Sequence, residues 1–239
     1  MAMRFSWLGI RSWLSRSKYL LVTIAIMGFL IIIPYTFTHS LGRIAIGFWL
    51  ALVLISISFS VYRIKIGGKI ALVFIIATLV SITLNVTQQS QTLELINRIL
   101  TSITLAFVTT IIFADLTTTN ASKHFSSDYI WGGIATYLLI GLTFGSILHL
   151  IEIVTPGSFS ATTPTDSLQF PIFVYFSFYV LTTIGGVLTP ITLQAQSLVM
   201  IEPIIGTLYV AILIARLVNV VEAKKQDAHK KEPKDTPNF

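Results

Sequence analysis

Thr182-Thr183-Ile184-Gly185-Gly186-Val187 is the stretch whose residue types could do chemistry. Adjacent hydroxyls precede adjacent glycines. Glycine lets consecutive carbonyls turn toward one axis without a Cβ penalty, and inward carbonyls can replace a cation's hydration shell. The chemistry implied is ion coordination by backbone and threonine oxygen. The residues before it, Phe170 to Leu181, are aromatic and apolar, and as a helix they are only about 18 Å long. A bilayer crossing needs roughly 20 apolar residues, so this segment can enter the hydrocarbon but not span it. Irregular backbone at that depth survives only when buried in protein or lining water. A half-length helix followed by Thr-Thr-x-Gly-Gly therefore reads as a re-entrant loop. The C-terminal end of that half-helix carries partial negative charge, which favours cations.

Tyr175-Phe176-Ser177-Phe178 through Thr182-Thr183-Ile184-Gly185 resembles the potassium-channel pore-loop superfamily, in particular bacterial six-helix channels with one pore loop per subunit. It is similar to that family's lead-in and the first half of its Thr-Val-Gly-Tyr-Gly-Asp filter. Downstream, Ser197 to Glu202, Gly206, Leu208-Tyr209 and Ala211 to Val218 resemble its pore-lining helix. The resemblance covers Tyr129 to Val220 and extends to the first half only in general layout. It implies a homotetramer around a filter made of Thr182, Thr183, Ile184, Gly185, Gly186 and Val187. Thr183, Ile184 and Gly185 would be the ligands of a monovalent cation, potassium or else sodium, with no other cofactor. It also implies that Glu202 braces the filter from behind the pore helix. One departure stands out. Thr183-Ile184-Gly185 runs straight into Gly186-Val187-Leu188-Thr189-Pro190, one residue shorter than the family pattern. The simplest alignment drops the aromatic between the glycines and puts Val187 in place of the following acid; Gly186 carries over only under that alignment.

The rest of the chain must position this loop. Its 239 residues are 54% hydrophobic and only 11% charged, with a mean hydropathy of +0.82, against roughly 25% charged in soluble domains. There is no cysteine, hence no disulfide and no thiolate metal site. The net charge of +6 is spread over the ends of apolar segments, which argues against nucleic acid as a partner. Six spans are expected near Tyr19–Phe37, Ile44–Tyr62, Ile70–Val86, Ile99–Leu116, Tyr129–Val154 and Leu193–Val220. Met1 to Lys18, with Arg and Trp interleaved, reads as an interfacial amphipathic segment in contact with lipid. Lys and Arg concentrate on one set of loops, including Arg63, Lys65, Lys69 and Lys123, whereas Arg43 and Arg98 stand on the other. That bias predicts a multi-pass protein of the cell inner (plasma) membrane with both termini cytoplasmic. The organisation is then residues 1–128 (interfacial segment and four spans), 129–220 (pore module) and 221–239 (charged cytoplasmic tail).

A voltage sensor needs several arginines at every third position of the fourth span. Here Arg98 stands alone at its outer edge, so no charge ladder exists. Asp115 reads as an interfacial carboxylate near Lys123. His149 and Glu152, three apart on the fifth span, share a face and read either as a proton-sensitive pair or as boundary residues touching headgroups. Gly206 is a candidate gating hinge or a close-packing site, and Gly141 and Gly145 form a small-xxx-small pair. Thr207, Tyr209 and Thr182 are candidates to face water. Metalloprotease, nucleophile-elbow and phosphate-loop patterns are absent from the sequence, so no enzyme is expected. The tail after Val221 is too polar to fold alone. The fold class expected is an all-α membrane protein with six transmembrane helices, a re-entrant pore helix and a filter loop. The function expected is passive cation conduction. A weakly selective cation channel and a non-conducting channel-like protein with an assembly or sensing role stand as alternatives; a secondary transporter would show two related halves with paired broken helices.

Overall fold

The computed structural model describes residues 19–36, 42–62, 67–88, 90–118, 127–161 and 168–231. The interfacial segment Met1 to Lys18, the basic residues Arg63 and Lys65, Lys123 and residues 232–239 lie outside them. Seven helices are described: α1 (Leu20–Thr36), α2 (Gly42–Val61), α3 (Gly67–Gln88), α4 (Gln91–Thr118), α5 (Ser127–Val154), α6 (Phe170–Leu181) and α7 (Leu193–Lys231). Strands β1 (Phe159–Ala161) and β2 (Leu188–Pro190) form a short antiparallel ribbon, with Phe159 opposite Pro190 and Ala161 opposite Leu188. Among the described residues, five helices contain stretches long and apolar enough to cross a membrane: Ile44–Val61, Gly67–Asn85, Gln91–Thr118, Tyr129–Val154 and Leu193–Asn219. The chain is thus all-helical in its main architecture and consistent with a membrane protein. The apolar part of α1, Leu20–Ile33, is shorter.

Helix α5 organises the packing, touching α1, α4, α6 and α7. A helix covered on all sides must be apolar all round, and α5 is so: Ala135, Leu138, Leu139, Leu142 and Leu148 are all buried. Two glycines set its distance from α6. A Cβ at Gly145 would lie 2.9 Å from the Cα of Val174, and one at Gly141 would lie 2.8 Å from the ring of Phe178. The small-xxx-small pair therefore permits close backbone approach at α6, whose twelve residues are too few to span.

Paired hydroxyls tie α4 to α3 and α5. Thr78 and Thr104 share a hydrogen bond of 2.7 Å between α3 and α4, Ser102 and Ser146 one of 2.8 Å between α4 and α5, and Thr109 and Thr143 one of 3.2 Å. Thr78 also donates to the Phe74 carbonyl, so Thr104 is the donor of their shared bond. Thr109 and Thr143 each have the carbonyl four residues back as an alternative acceptor, so that with one proton per hydroxyl only one of them bonds the other at a time.

One expectation from the sequence is corrected, and two further features were not foreseen. Helix α4 starts at Gln91, so the polar stretch before Ile99 is helical and Arg98 sits two turns inside rather than at the edge. Ser90 and Glu94 supply the start signal, Glu94 N–H donating to the Ser90 carbonyl and its carboxylate standing in the first turn, where the helix dipole favours it. Helix α7 continues through the polar tail to Lys231. A helix already nucleated by an apolar span gains one hydrogen bond per added residue, and Glu222-Ala223-Lys224-Lys225-Gln226 are all good helix formers. Third, the segment between α5 and α6 contributes β1, which pairs with residues beyond the loop.

Replacing Gly145 by Leu should lower the unfolding temperature in detergent clearly below that of Val73→Leu, since Val73 is exposed. Overpacking costs about 1–3 kcal/mol, and here the atom in the way is backbone.

Candidate functional site

The site is built on the end of α6. Gln169 stands at the N-cap and Pro171 in the first turn, where a missing N–H costs nothing. Phe170, Ile172, Phe173, Val174, Phe176, Ser177, Val180 and Leu181 are buried. The helix stops at Thr182, and its last carbonyls find partners within two residues. The N–H of Thr183 donates to the Val180 carbonyl at 3.0 Å, and that of Ile184 to the Tyr179 carbonyl at 2.9 Å. With Thr183 at φ 61°, this is a Schellman closure. A β-branched residue in left-handed conformation is uncommon and costs roughly 1–3 kcal/mol. Tyr137 donates its hydroxyl to the Leu181 carbonyl at 3.4 Å, so the end of α6 is satisfied from α5 as well.

Backbone φ is positive again at Gly185 (96°) and at neither Ile184 nor Gly186. From Thr182 to Gly186 the sign of φ therefore alternates. Thr182, Thr183, Ile184, Gly185 and Gly186 are exposed, Ile184 to 71%, while Val187 is half-buried. The Thr182 hydroxyl is turned back to the Phe178 carbonyl at 2.7 Å. Gly186 is required for another reason: a Cβ there would lie 2.1 Å from Cε2 of Phe176. An aromatic ring therefore does press on the loop, but it comes from α6. Behind it, Phe159 meets Phe173 and Phe176 edge to face at 5.2 and 6.0 Å between centroids. Leu188, Val180 and Ala195 complete this cluster.

On its far side the loop is held by the ribbon, extended by the Ile191 N–H donating to Ser158 O at 2.8 Å. The carboxylate of Glu152 anchors the other strand, accepting from the N–H groups of Gly157 at 2.9 Å and Phe159 at 3.0 Å. Glu152 is thus a loop cap rather than a partner of His149. His149 is buried, 4% exposed, with its ring 5.1 Å from that of Phe173, not at a headgroup boundary. Asp115 accepts a hydrogen bond from the Tyr19 hydroxyl at 2.5 Å.

Glu202 lies fully buried on α7 and contacts α6 through the hydroxyl of Ser177. That hydroxyl also donates to the Gly141 carbonyl at 2.7 Å. One hydroxyl has one proton, and a carbonyl can only accept, so the count closes with the carboxyl donating to Ser177. Glu202 Oε2 has no partner among the described residues. The three residues knit α5, α6 and α7 together about one turn before the loop. Ser177 was missed by sequence reading, although it is the one small polar residue in the aromatic run. Gly206 is buried, and a Cβ there would meet Leu181 Cδ1 at 2.5 Å, so it admits close packing of α7 on the end of α6. Tyr209 donates to the Gly133 carbonyl at 2.7 Å, and Thr207 is exposed with its hydroxyl on Pro203 O. Arg216, also unforeseen, reaches the last turn of α4 and donates to the carbonyls of Leu116 and Thr117 at 3.4 and 3.1 Å.

Two sets of substitutions check this reading. Glu202→Gln keeps a donor and should leave thermal stability nearly unchanged, whereas Glu202→Leu removes the donor to Ser177 Oγ, whose own proton stays on Gly141 O, and should cost about 1 kcal/mol. Gly186→Ala should destabilise through Phe176, and adding Phe176→Leu should recover part of that loss, a coupling readable in a double-mutant cycle. No family model matches the chain, and no curated protein or solved structure matches it.

Proposed function

We propose that the chain is one subunit of a passive cation channel of the potassium-channel superfamily. Six spans and the re-entrant α6 would assemble as a homotetramer in the cell's plasma membrane, with both termini cytoplasmic. Potassium is the ion favoured, with the carbonyls of Thr183, Ile184, Gly185 and Gly186 and the Thr183 hydroxyl as ligands. Thr182 and Val187 flank them, Glu202 braces them through Ser177, and Gly206 is a candidate pivot of α7.

The observation that carries this reading is the end of α6. A twelve-residue apolar helix, buried between α5 and α7, gives way to five consecutive exposed residues whose φ alternates in sign. Exposed, non-helical backbone beside apolar helices is tolerated only where it lines water or protein. A single such loop cannot surround an ion, so closed rotational symmetry has to supply the rest. The apolar side of α7 supports the same assembly: Met200, Ile204, Leu208 and Ile212 are exposed in the single chain, a surface fit for neighbouring subunits.

The one-residue shortening of the loop favours a second reading, a pore of weak selectivity, because the bracing ring comes only from Phe176. Reversal potentials of purified protein in planar bilayers under opposing potassium and sodium gradients separate the two. A shift toward the potassium potential is the expected result. Current reversing near zero assigns the weakly selective pore, and absence of current from folded, tetrameric protein refutes conduction and leaves an assembly or sensing role.

A further inference from the structure

The end of the bundle that receives the first turn of α6 also holds a polar cavity of about 290 Å³. Helices α2, α3, α4 and α5 and the residues leading into α6 all contribute to its wall. Asn97, Arg98, His149 and Phe170 line its interior, and Glu94 and Gln169 stand exposed on its rim.

Three observations point to a ligand. The guanidinium of Arg98 lies over the ring of Phe170, its Cζ 4.2 Å from the centroid, and its Nε is sealed from solvent with no hydrogen-bond partner among the described residues. His149 lines the same cavity, almost wholly buried, and its Nδ1 is likewise without a partner. The N-terminus of α6 opens here, and no side chain caps it. Buried polar groups left unpaired are costly and seldom kept without reason. All three groups are suited to donating to the same kind of acceptor. A guanidinium matches the planar geometry of an oxyanion, the N-terminus of α6 adds its dipole and the N–H of Phe170, since Pro171 has none and the Ile172 N–H donates to Gln169 O, and an imidazole Nδ1–H can add one more bond.

We propose that this cavity binds a single compact oxyanion, a phosphate or carboxylate group, held by Arg98, His149 and the N-terminus of α6. The exposed carboxylate of Glu94, one turn before Arg98 on the same helix, repels extended polyanions and leaves room for a ligand with a cationic part beside its oxyanion. Two sources can supply this chemistry, a free solute or the phosphate of a phospholipid headgroup. The site involves neither the 182–187 loop nor conduction, so its test is independent of the channel reading.

The test is thermal unfolding of the full chain, delipidated in detergent and titrated with inorganic phosphate against chloride at equal ionic strength. It is paired with native mass spectrometry of the protein before delipidation. Saturable stabilisation by phosphate is expected, with the half-saturating concentration raised about tenfold or more in Arg98→Gln. His149→Phe keeps a ring against Phe173 and removes an unpaired nitrogen. It should unfold no earlier than the unsubstituted chain without phosphate, yet respond less to it, and so carries the test if Arg98→Gln fails to fold. Phospholipid retained by the unsubstituted chain and lost from these variants, with no response to free phosphate, assigns the site to a headgroup. The proposal is overturned if neither phosphate nor phospholipid is held, or if His149→Phe and any folded Arg98→Gln hold them as tightly as the unsubstituted chain.

Discussion

The end of α6 is the constraint on which the remaining architecture turns. Twelve apolar residues cannot carry a helix across a bilayer, so its terminal carbonyls must find partners inside the protein. Thr183 and Ile184 fold back on Val180 and Tyr179, and Tyr137 reaches Leu181 from α5. The last of these contacts, and the packing around the other two, requires neighbouring helices at close range. Gly141 and Gly145 bring α5 near, Gly206 brings α7 near, and Glu202 with Ser177 holds all three in register. The strained φ of Thr183 is sustained by this surrounding structure, as backbone strain has to be.

The other side of the loop obeys a different rule. Where α6 is closed by hydrogen bonds within a helix turn, the Leu188–Pro190 strand is closed by pairing with β1. That strand in turn depends on Glu152, whose two oxygens accept backbone N–H groups of the turn leading into it. A short ribbon is marginal alone, and here the edge-to-face packing of Phe159 on Phe173 and Phe176 provides its hydrophobic backing. The loop is therefore suspended between a helix cap and a ribbon, with only its middle left open.

Hydrophobic runs made most of the helices legible in the sequence, because an apolar stretch of that length has few alternatives. The short α6 was legible for the same reason, by falling below the length of a span. What escaped was set by polar residues whose roles depend on distant partners. Glu152 and His149 share a face of α5, yet one turns to the ribbon and the other is sealed against Phe173. Ser177 looked like an incidental residue among aromatics. Arg98 read as an edge residue because the polar run before it masked the start of α4, although Ser90 and Glu94 marked that start. The tail, too polar to fold alone, is helical as the continuation of the span that runs into it.

The hydroxyl contacts of α4 have a consequence for how firmly that helix is seated. Interhelical bonds of this kind in membranes are worth about 0.6 kcal/mol each on average. Thr78, Thr109 and Thr143 keep a bond to their own helix whether or not the neighbour is there. Parting α4 from α3 or α5 would thus leave none of these three hydroxyls stranded. A small slide of α4 would therefore cost little at these three positions, while Thr104, Ser102 and Ser146 would lose their partners. Arg216 of α7, bonded to the last-turn carbonyls of α4, is where such a slide would be felt.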